Sequence, residues 1–272
     1  MLQHIQQTTQ YILEKTNSFK PTVGIILGSG LGGLVKEINV QYTLPYKDIP
    51  NFPQSTVHGH SGQLIVGYLS GKPVMAMQGR FHYYEGYDMK QITFPVRVMK
   101  QLGINILIVS NAAGGMNPEF ELGDLMIIKD HINLFPSNPL IGKNHDELGP
   151  RFLDMSDAYC KEYREIAQQI ADKHNIRVKE GVYIGVSGPC FETPAEYRCF
   201  WRMGADAVGM STVPEVIVAR HSGMKVFGMS IITDLGIDGH IENVSHEEVL
   251  RVATAQEPKM SLIVKELVKE IG

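Results

Sequence analysis

The stretch VGIILGSGLGG, Val23 to Gly33, sets the frame for the rest of the chain. Its first half, VGIIL, is apolar at odd and even positions alike. A strand of that kind has both faces covered, as a central strand of an α/β sheet does. Its second half is a run of glycines around Ser29 and Leu31. Such a loop turns backbone N–H groups toward an anion or simply makes a tight strand–helix turn. Similar runs recur: QLIVGYL (63–69), PVMAMQ (73–78), NILIVS (105–110), DLMIIKD (124–130), VYIGVS (182–187), AVGM (207–210) and KVFGMSIIT (225–233). Between them lie helical patterns such as ITFPVRVMKQLG, TPAEYRCFWRMG and TVPEVIVARHSG, three of them closed by Gly103, Gly204 and Gly223. Strands alternating with helices predict an α/β fold, and the lack of a linker or internal repeat predicts one domain over residues 1–272.

Composition narrows the function classes. The 272 residues are 43% hydrophobic and 20% charged, with a formal net charge of -4. No basic field is available for nucleic acid, so no nucleic-acid partner is expected. The three cysteines, Cys160, Cys190 and Cys199, lack a CxxC spacing and suit a reducing compartment. The first residues, MLQHIQQTTQYILEK, read as an amphipathic helix without an apolar signal core, and no run reaches the roughly 18 apolar residues of a membrane span. These features predict a cytoplasmic protein with no membrane partner.

The strand ends carry the chemistry, as they do in α/β proteins generally. Before QLIVGYL stands His58-Gly59-His60. After PVMAMQ stands GRFHYYEGY, where Arg80 offers a planar fork for phosphate oxygens. If the extended backbone continues, Arg80, His82 and Tyr84 share a face. NAAGGMNP (111–118) reads as a small-residue loop. GPCFETP (188–194) sets Phe191 beside Glu192 ahead of a helix that Thr193 caps and Pro194 starts. Ser211 and Thr212 follow AVGM, and Asp234 follows Thr233. Each element has an ordinary structural reading. Together they place donors for an anion early in the chain, and an aromatic with two carboxylates late. No HExxH or third ligand accompanies His58 and His60, so no metal is expected.

In order over Val23 to His246, GSGLGGL, HGHSGQL, GRFHYYEGY, NAAGGMNP, DHINL, GPCFETPAE and VGMSTVPEVIVARH resemble the motifs of the trimeric purine nucleoside phosphorylases, whose relatives include the methylthioadenosine phosphorylases. The resemblance implies a single α/β domain with a central mixed, partly barrel-like β-sheet flanked by helices, assembled as a homotrimer. It implies phosphorolysis of purine nucleosides to the free base and (deoxy)ribose 1-phosphate. No metal or organic cofactor is implied; inorganic phosphate is a co-substrate. Carried over by motif, Ser29, His60, Arg80, His82, Ala112 and Ser211 hold phosphate. Tyr84, Met210 and His246 line the ribose, joined by Phe152 from a neighbouring subunit. Phe191, Glu192, Thr233 and Asp234 hold the base, and Tyr183, in the GVY segment, is a weaker member of the site. His82, Glu192, Asp234 and His246 are the expected catalytic residues.

One position departs from the family pattern. Members that use 6-oxopurines commonly carry asparagine where this chain has Asp234. An ionised aspartate only accepts hydrogen bonds and favours a 6-amino group; a protonated one donates to purine N7. Glu192 and His246 point the other way, toward guanine N1–H and a 5′-hydroxyl. The sequence reading is therefore a purine nucleoside phosphorylase for inosine and guanosine that tolerates adenosine, with a methylthioadenosine phosphorylase as the alternative. A nucleoside-binding protein without turnover and a nucleoside hydrolase are the rivals from other classes. Cys190 receives no role, and residues 235–244, with His240, are expected to form a cover.

Overall fold

Why the apolar runs become strands is clear from what covers them. In the computed structural model, which describes residues 1–56, 61–237 and 244–272, β1 (Val23–Leu27) is buried at every position. Ile26 packs on one side, against α1 (Leu2–Lys15), α2 (Met89–Gln101) and α5 (Val213–His221). Val23, Ile25 and Leu27 pack on the other, with α3 (Lys161–Lys173) and α6 (His246–Ile271). Alternate side chains of one strand thus feed two cores, which is why the run shows no polar alternation.

The remaining strands are β2 (Asn39–Pro45), β3 (Gln63–Leu69), β4 (Lys72–Gln78), β5 (Ile106–Gly115), β6 (Leu125–Asn133), β7 (Val178–Gly185), β8 (Ala207–Gly209) and β9 (Lys225–Leu235), with α4 (Pro194–Arg202) between β7 and β8. Among the described residues they form one mixed sheet in the order β2-β3-β4-β1-β5-β8-β7-β6-β9. β9 also pairs with β5 in parallel, so β5, β8, β7, β6 and β9 close into a five-stranded barrel. The expected mixed, partly barrel-like sheet is therefore the observed one.

The structure departs from the sequence reading at two places that matter for the site. NAAGG was expected as a loop; it is the last half of β5. Its small residues continue the ladder with β9 (Ala113 opposite Ile232, then, after a register shift, Gly114 opposite Asp234) and meet β8. The shared face of Arg80, His82 and Tyr84 was conditional on extended backbone after Arg80, and that condition fails: Tyr83–Glu85 form a 3₁₀ turn. NVQYTLP, β2, passed unnoticed because it is an edge strand, largely solvent-facing and lacking a continuous apolar run.

Candidate functional site

The carboxyl ends of β4, β5, β8 and β9 and the N-termini of α4 and α6 surround a cavity of about 340 Å³. This size suits a small organic ligand. Of the residues singled out from the sequence, Ser29, Arg80, His82, Tyr84, Ala112, Phe191, Glu192, Met210, Ser211, Thr233, Asp234 and His246 all line it. They come from turns spread along the chain from Ser29 to His246. Tyr183 lies buried in the barrel behind the wall, where its hydroxyl accepts a bond from the Ser211 amide at 3.4 Å. Phe152 lies elsewhere, 90% exposed, with the Arg151 guanidinium 5.9 Å from its ring centre. His60 and His240 fall outside the described residues.

Arg80 is fixed rather than free to swing. Only 2% of its surface is exposed. Its Nε donates to Oε1 of Glu215 at 3.0 Å, and its Nη1 donates to the Ser110 carbonyl at 2.7 Å and to Oγ of Ser211 at 3.1 Å. Burying a guanidinium is tolerable only with such partners. Ser211 belongs to the turn that follows β8. There Thr212 adopts φ +72°, an uncommon backbone for a β-branched residue. Two hydroxyl contacts hold it: Asn111 Nδ2 donates to Thr212 Oγ1 at 2.8 Å, and Ser211 Oγ lies 3.1 Å from the same atom. Strain of this kind persists where the surroundings over-determine it, as they do at this cavity wall.

His82 and Tyr84 still share a wall, though by another route than an extended strand. The 3₁₀ turn stacks their rings at 4.7 Å and 15°. Glu85 organises the turn. Its Oε1 accepts from the His82 amide at 2.8 Å and lies 3.0 Å from His82 Nδ1, while Oε2 accepts from the Thr56 amide and hydroxyl. Burial works to raise the Glu85 carboxyl, but these bonds outweigh it and hold it at about 2. Burial pushes His82 below the usual imidazole value, with the Glu85 bond opposing. A neutral ring oriented by an ionised carboxylate follows.

Across the cavity stand two carboxyls. Glu192 precedes α4, whose start is fixed as expected: Thr193 Oγ1 accepts from the Glu196 amide, Glu196 bonds back to the Thr193 amide, and Pro194 opens the helix. Burial, followed by the charges of Asp234 and Glu196, lifts the Glu192 carboxyl to about 7. Burial also raises Asp234, while hydrogen bonds from Tyr197 and Thr233 pull it back. Nε2 of His246, the first residue of α6, is buried and has no hydrogen-bond partner among the described residues.

The phosphorylase superfamily matches residues 22–269. The chain belongs to the phosphorylase superfamily. It is similar to purine nucleoside phosphorylase 1 of Geobacillus stearothermophilus, 53% identical over 98% of this chain and 97% of that one. The structure of Schistosoma mansoni purine nucleoside phosphorylase in complex with adenosine superposes with a TM-score of 0.94, at 44% identity, over 99% of this chain and 98% of that one. The Schistosoma mansoni enzyme in complex with inosine gives 0.93, at 43% identity, over 99% and 97%.

Within this superfamily member, four residues at the site escaped the sequence reading: Glu85, Asn111, Tyr197 and Glu215. Glu215 left the clearest trace, an acidic residue within the otherwise apolar VPEVIV, where a lone carboxylate needs a cationic partner. Glu85 stood in the quoted motif, three residues after His82. Asn111 and Tyr197 carry no pattern that distinguishes them from ordinary turn and helix residues.

Proposed function

We propose that the chain is a purine nucleoside phosphorylase, a pentosyltransferase that cleaves the N-glycosidic bond of inosine, guanosine and, more slowly, adenosine. One observation carries the reading: a single cavity brings together the Arg80–Ser211 cluster and the Glu192–Asp234 pair. A nucleoside hydrolase has no use for a buried guanidinium at that place. A passive binder has no use for carboxyls poised to exchange protons.

The chemistry follows from the residues. Ser29, Arg80, His82, Ser211 and the Ala112 amide hold inorganic phosphate, and His60 joins them. A phosphate oxygen forms its bond to C1′ as the C1′–N9 bond breaks. The bond's electron pair passes to the purine, which leaves as an anion and takes its proton at N7 from solvent water. The sugar passes through an oxocarbenium-like state. Holding the nucleophile in line supplies much of the acceleration, up to about 7–11 kcal/mol in favourable systems. Tyr84 and Met210 cover the ribose, and the unpartnered Nε2 of His246 bonds the 5′-hydroxyl. Phe191, Glu192, Thr233 and Asp234 hold the base, where charge develops as it leaves. No metal or organic cofactor is required by this scheme.

The decisive experiment is release of hypoxanthine from inosine with and without phosphate. Release only with phosphate supports the reading; equal release in phosphate-free buffer would replace it with a hydrolase. Replacing Asp234 with asparagine supplies a neutral donor and acceptor in place of an acceptor. The adenosine-to-inosine ratio of kcat/KM is then expected to fall about tenfold or more, as the loss of a hydrogen bond to a charged group implies. Steady-state kinetics with the two nucleosides checks it.

The reading extends to the assembly, to residues 1–272 as one domain, and to the cytoplasm. A large aromatic side chain 90% exposed and apart from its own cavity suits a residue that completes a neighbour's ribose pocket in a homotrimer. Phe152→Ala is expected to raise KM for inosine about tenfold, the worth of roughly 1.4 kcal/mol of lost contact. Sedimentation equilibrium on the same preparation reads the assembly; a monomer with full activity would refute the shared site. All three cysteines are unpaired, as a reducing cytoplasm requires. Among the described residues, no helix is long and apolar enough to cross a membrane.

A further inference from the structure

Beneath the base end of the cavity, Tyr197 occupies a place that the proposed mechanism does not use. It sits on α4, only 2% exposed, and its hydroxyl donates to Oδ2 of Asp234 at 2.8 Å. Thr233 Oγ1 donates to the other oxygen, Oδ1, at 3.1 Å. Two glycines leave room for this contact. A methyl group at position 236 would lie 2.1 Å from the Tyr197 ring, and one at position 114 would lie 2.7 Å from Asp234 Oδ2 and 3.0 Å from the Tyr197 hydroxyl. A cradle with no space for one added carbon on either side specifies the pair.

We infer that Tyr197 is a positioning residue that holds Asp234 as a hydrogen-bond acceptor toward the purine, and so gives this chain its use of 6-aminopurine nucleosides. The inference rests on the proposed reading of Asp234 as a base contact. The chemistry is that of donor counting. A phenol that donates to a carboxylate stabilises its ionised form, which accepts from an exocyclic amino group and repels an exocyclic oxygen. Burial and the facing carboxyls of Asp234 and Glu192 keep the phenol itself protonated. The groups facing the Asp234 carboxyl are Tyr197 on α4, Glu192 just before it and Thr233 on its own strand, with the Gly114 backbone of β5 behind. Without the phenol, Asp234 loses one of its two side-chain donors. Burial then favours its protonated form, which donates to N7 and suits a 6-oxopurine.

The test is a double-mutant cycle read as the adenosine-to-inosine ratio of kcat/KM. Tyr197→Phe keeps the ring and removes only the donor. It is expected to lower the ratio about tenfold and, with Glu192→Gln in the background to remove that group's opposing titration, to move upward the pH below which the ratio falls. In the Asp234→Asn background the same replacement is expected not to lower the ratio, because the Asp234 carboxylate is gone and only Glu192, which the phenol also bonds, is left to respond, in the opposite direction. An unchanged ratio in Tyr197→Phe, or an equal fall in both backgrounds, overturns the inference while leaving Asp234 as a base contact. An unchanged ratio in Asp234→Asn alone removes the base contact and the inference with it. Should Tyr197→Phe not fold, Gly236→Ala displaces the ring while keeping every hydrogen-bonding group. The same selective fall is expected there, and an unchanged ratio counts against the role.

Discussion

Arg80→Ala is expected to lower kcat/KM for phosphorolysis by at least about 10³-fold, and to destabilise the protein in the same stroke. The two losses have different origins and separate experimentally. A preorganised donor aimed at developing charge is worth about 10²- to 10³-fold in rate, and Arg80 brings a full charge as well. Stability suffers because Glu215, 4% exposed, would keep its carboxylate buried without the guanidinium 3.0 Å away. Breaking one partner of a buried pair costs about 3–5 kcal/mol, whereas replacing both with apolar groups is often neutral. The paired variant Arg80→Met with Glu215→Leu is therefore expected to recover most of the melting temperature and none of the activity. Phosphate itself gives a further reading. A ligand that binds only the folded protein raises its melting temperature with concentration. The native chain should show that rise and the paired variant should not. Recovery of phosphorolysis in the paired variant would show that Arg80 serves the fold alone.

That separation explains what the sequence can and cannot reveal. The strands of the two-sided core are legible because burial on both faces leaves continuous apolar runs, as in β1 and β3. Donor-rich turns are legible because glycine, serine and arginine at a strand end have few other uses in combination. The closure of the barrel is not legible in the residues themselves. It depends on NAAGG pairing with β9, and small residues read equally well as a loop; only the family resemblance anticipated it. The supporting residues are hidden for a similar reason. Glu85, Glu215 and Tyr197 act through another side chain, so their meaning lies in a partner 3, 135 or 37 positions away. A motif records the group that meets the substrate; the group that holds it in place leaves a trace only when burial makes its charge conspicuous.

The pH dependence of base selection follows from Glu192. Its carboxyl sits at about 7, raised first by burial and then by the nearby Asp234 and Glu196 charges. A 6-oxopurine carries hydrogen on N1 and needs the ionised form as acceptor. Adenine has a bare N1 and needs the protonated form as donor. As the pH falls through about 7, kcat/KM for inosine is therefore expected to decline on a single ionisation, about tenfold per unit once fully below it. For adenosine the dependence on this group has the opposite sign, so the adenosine-to-inosine ratio rises toward acid. Glu192→Gln removes the ionisation while preserving the shape. It is expected to cost inosine about 10- to 100-fold, the difference between a charged and a neutral acceptor, and to flatten the limb near 7. Profiles of kcat/KM for both nucleosides in the native chain and in Glu192→Gln measure all of this. A limb that survives the replacement would assign the ionisation to another group, with His82 excluded as its source because burial sets that ring below the usual imidazole value.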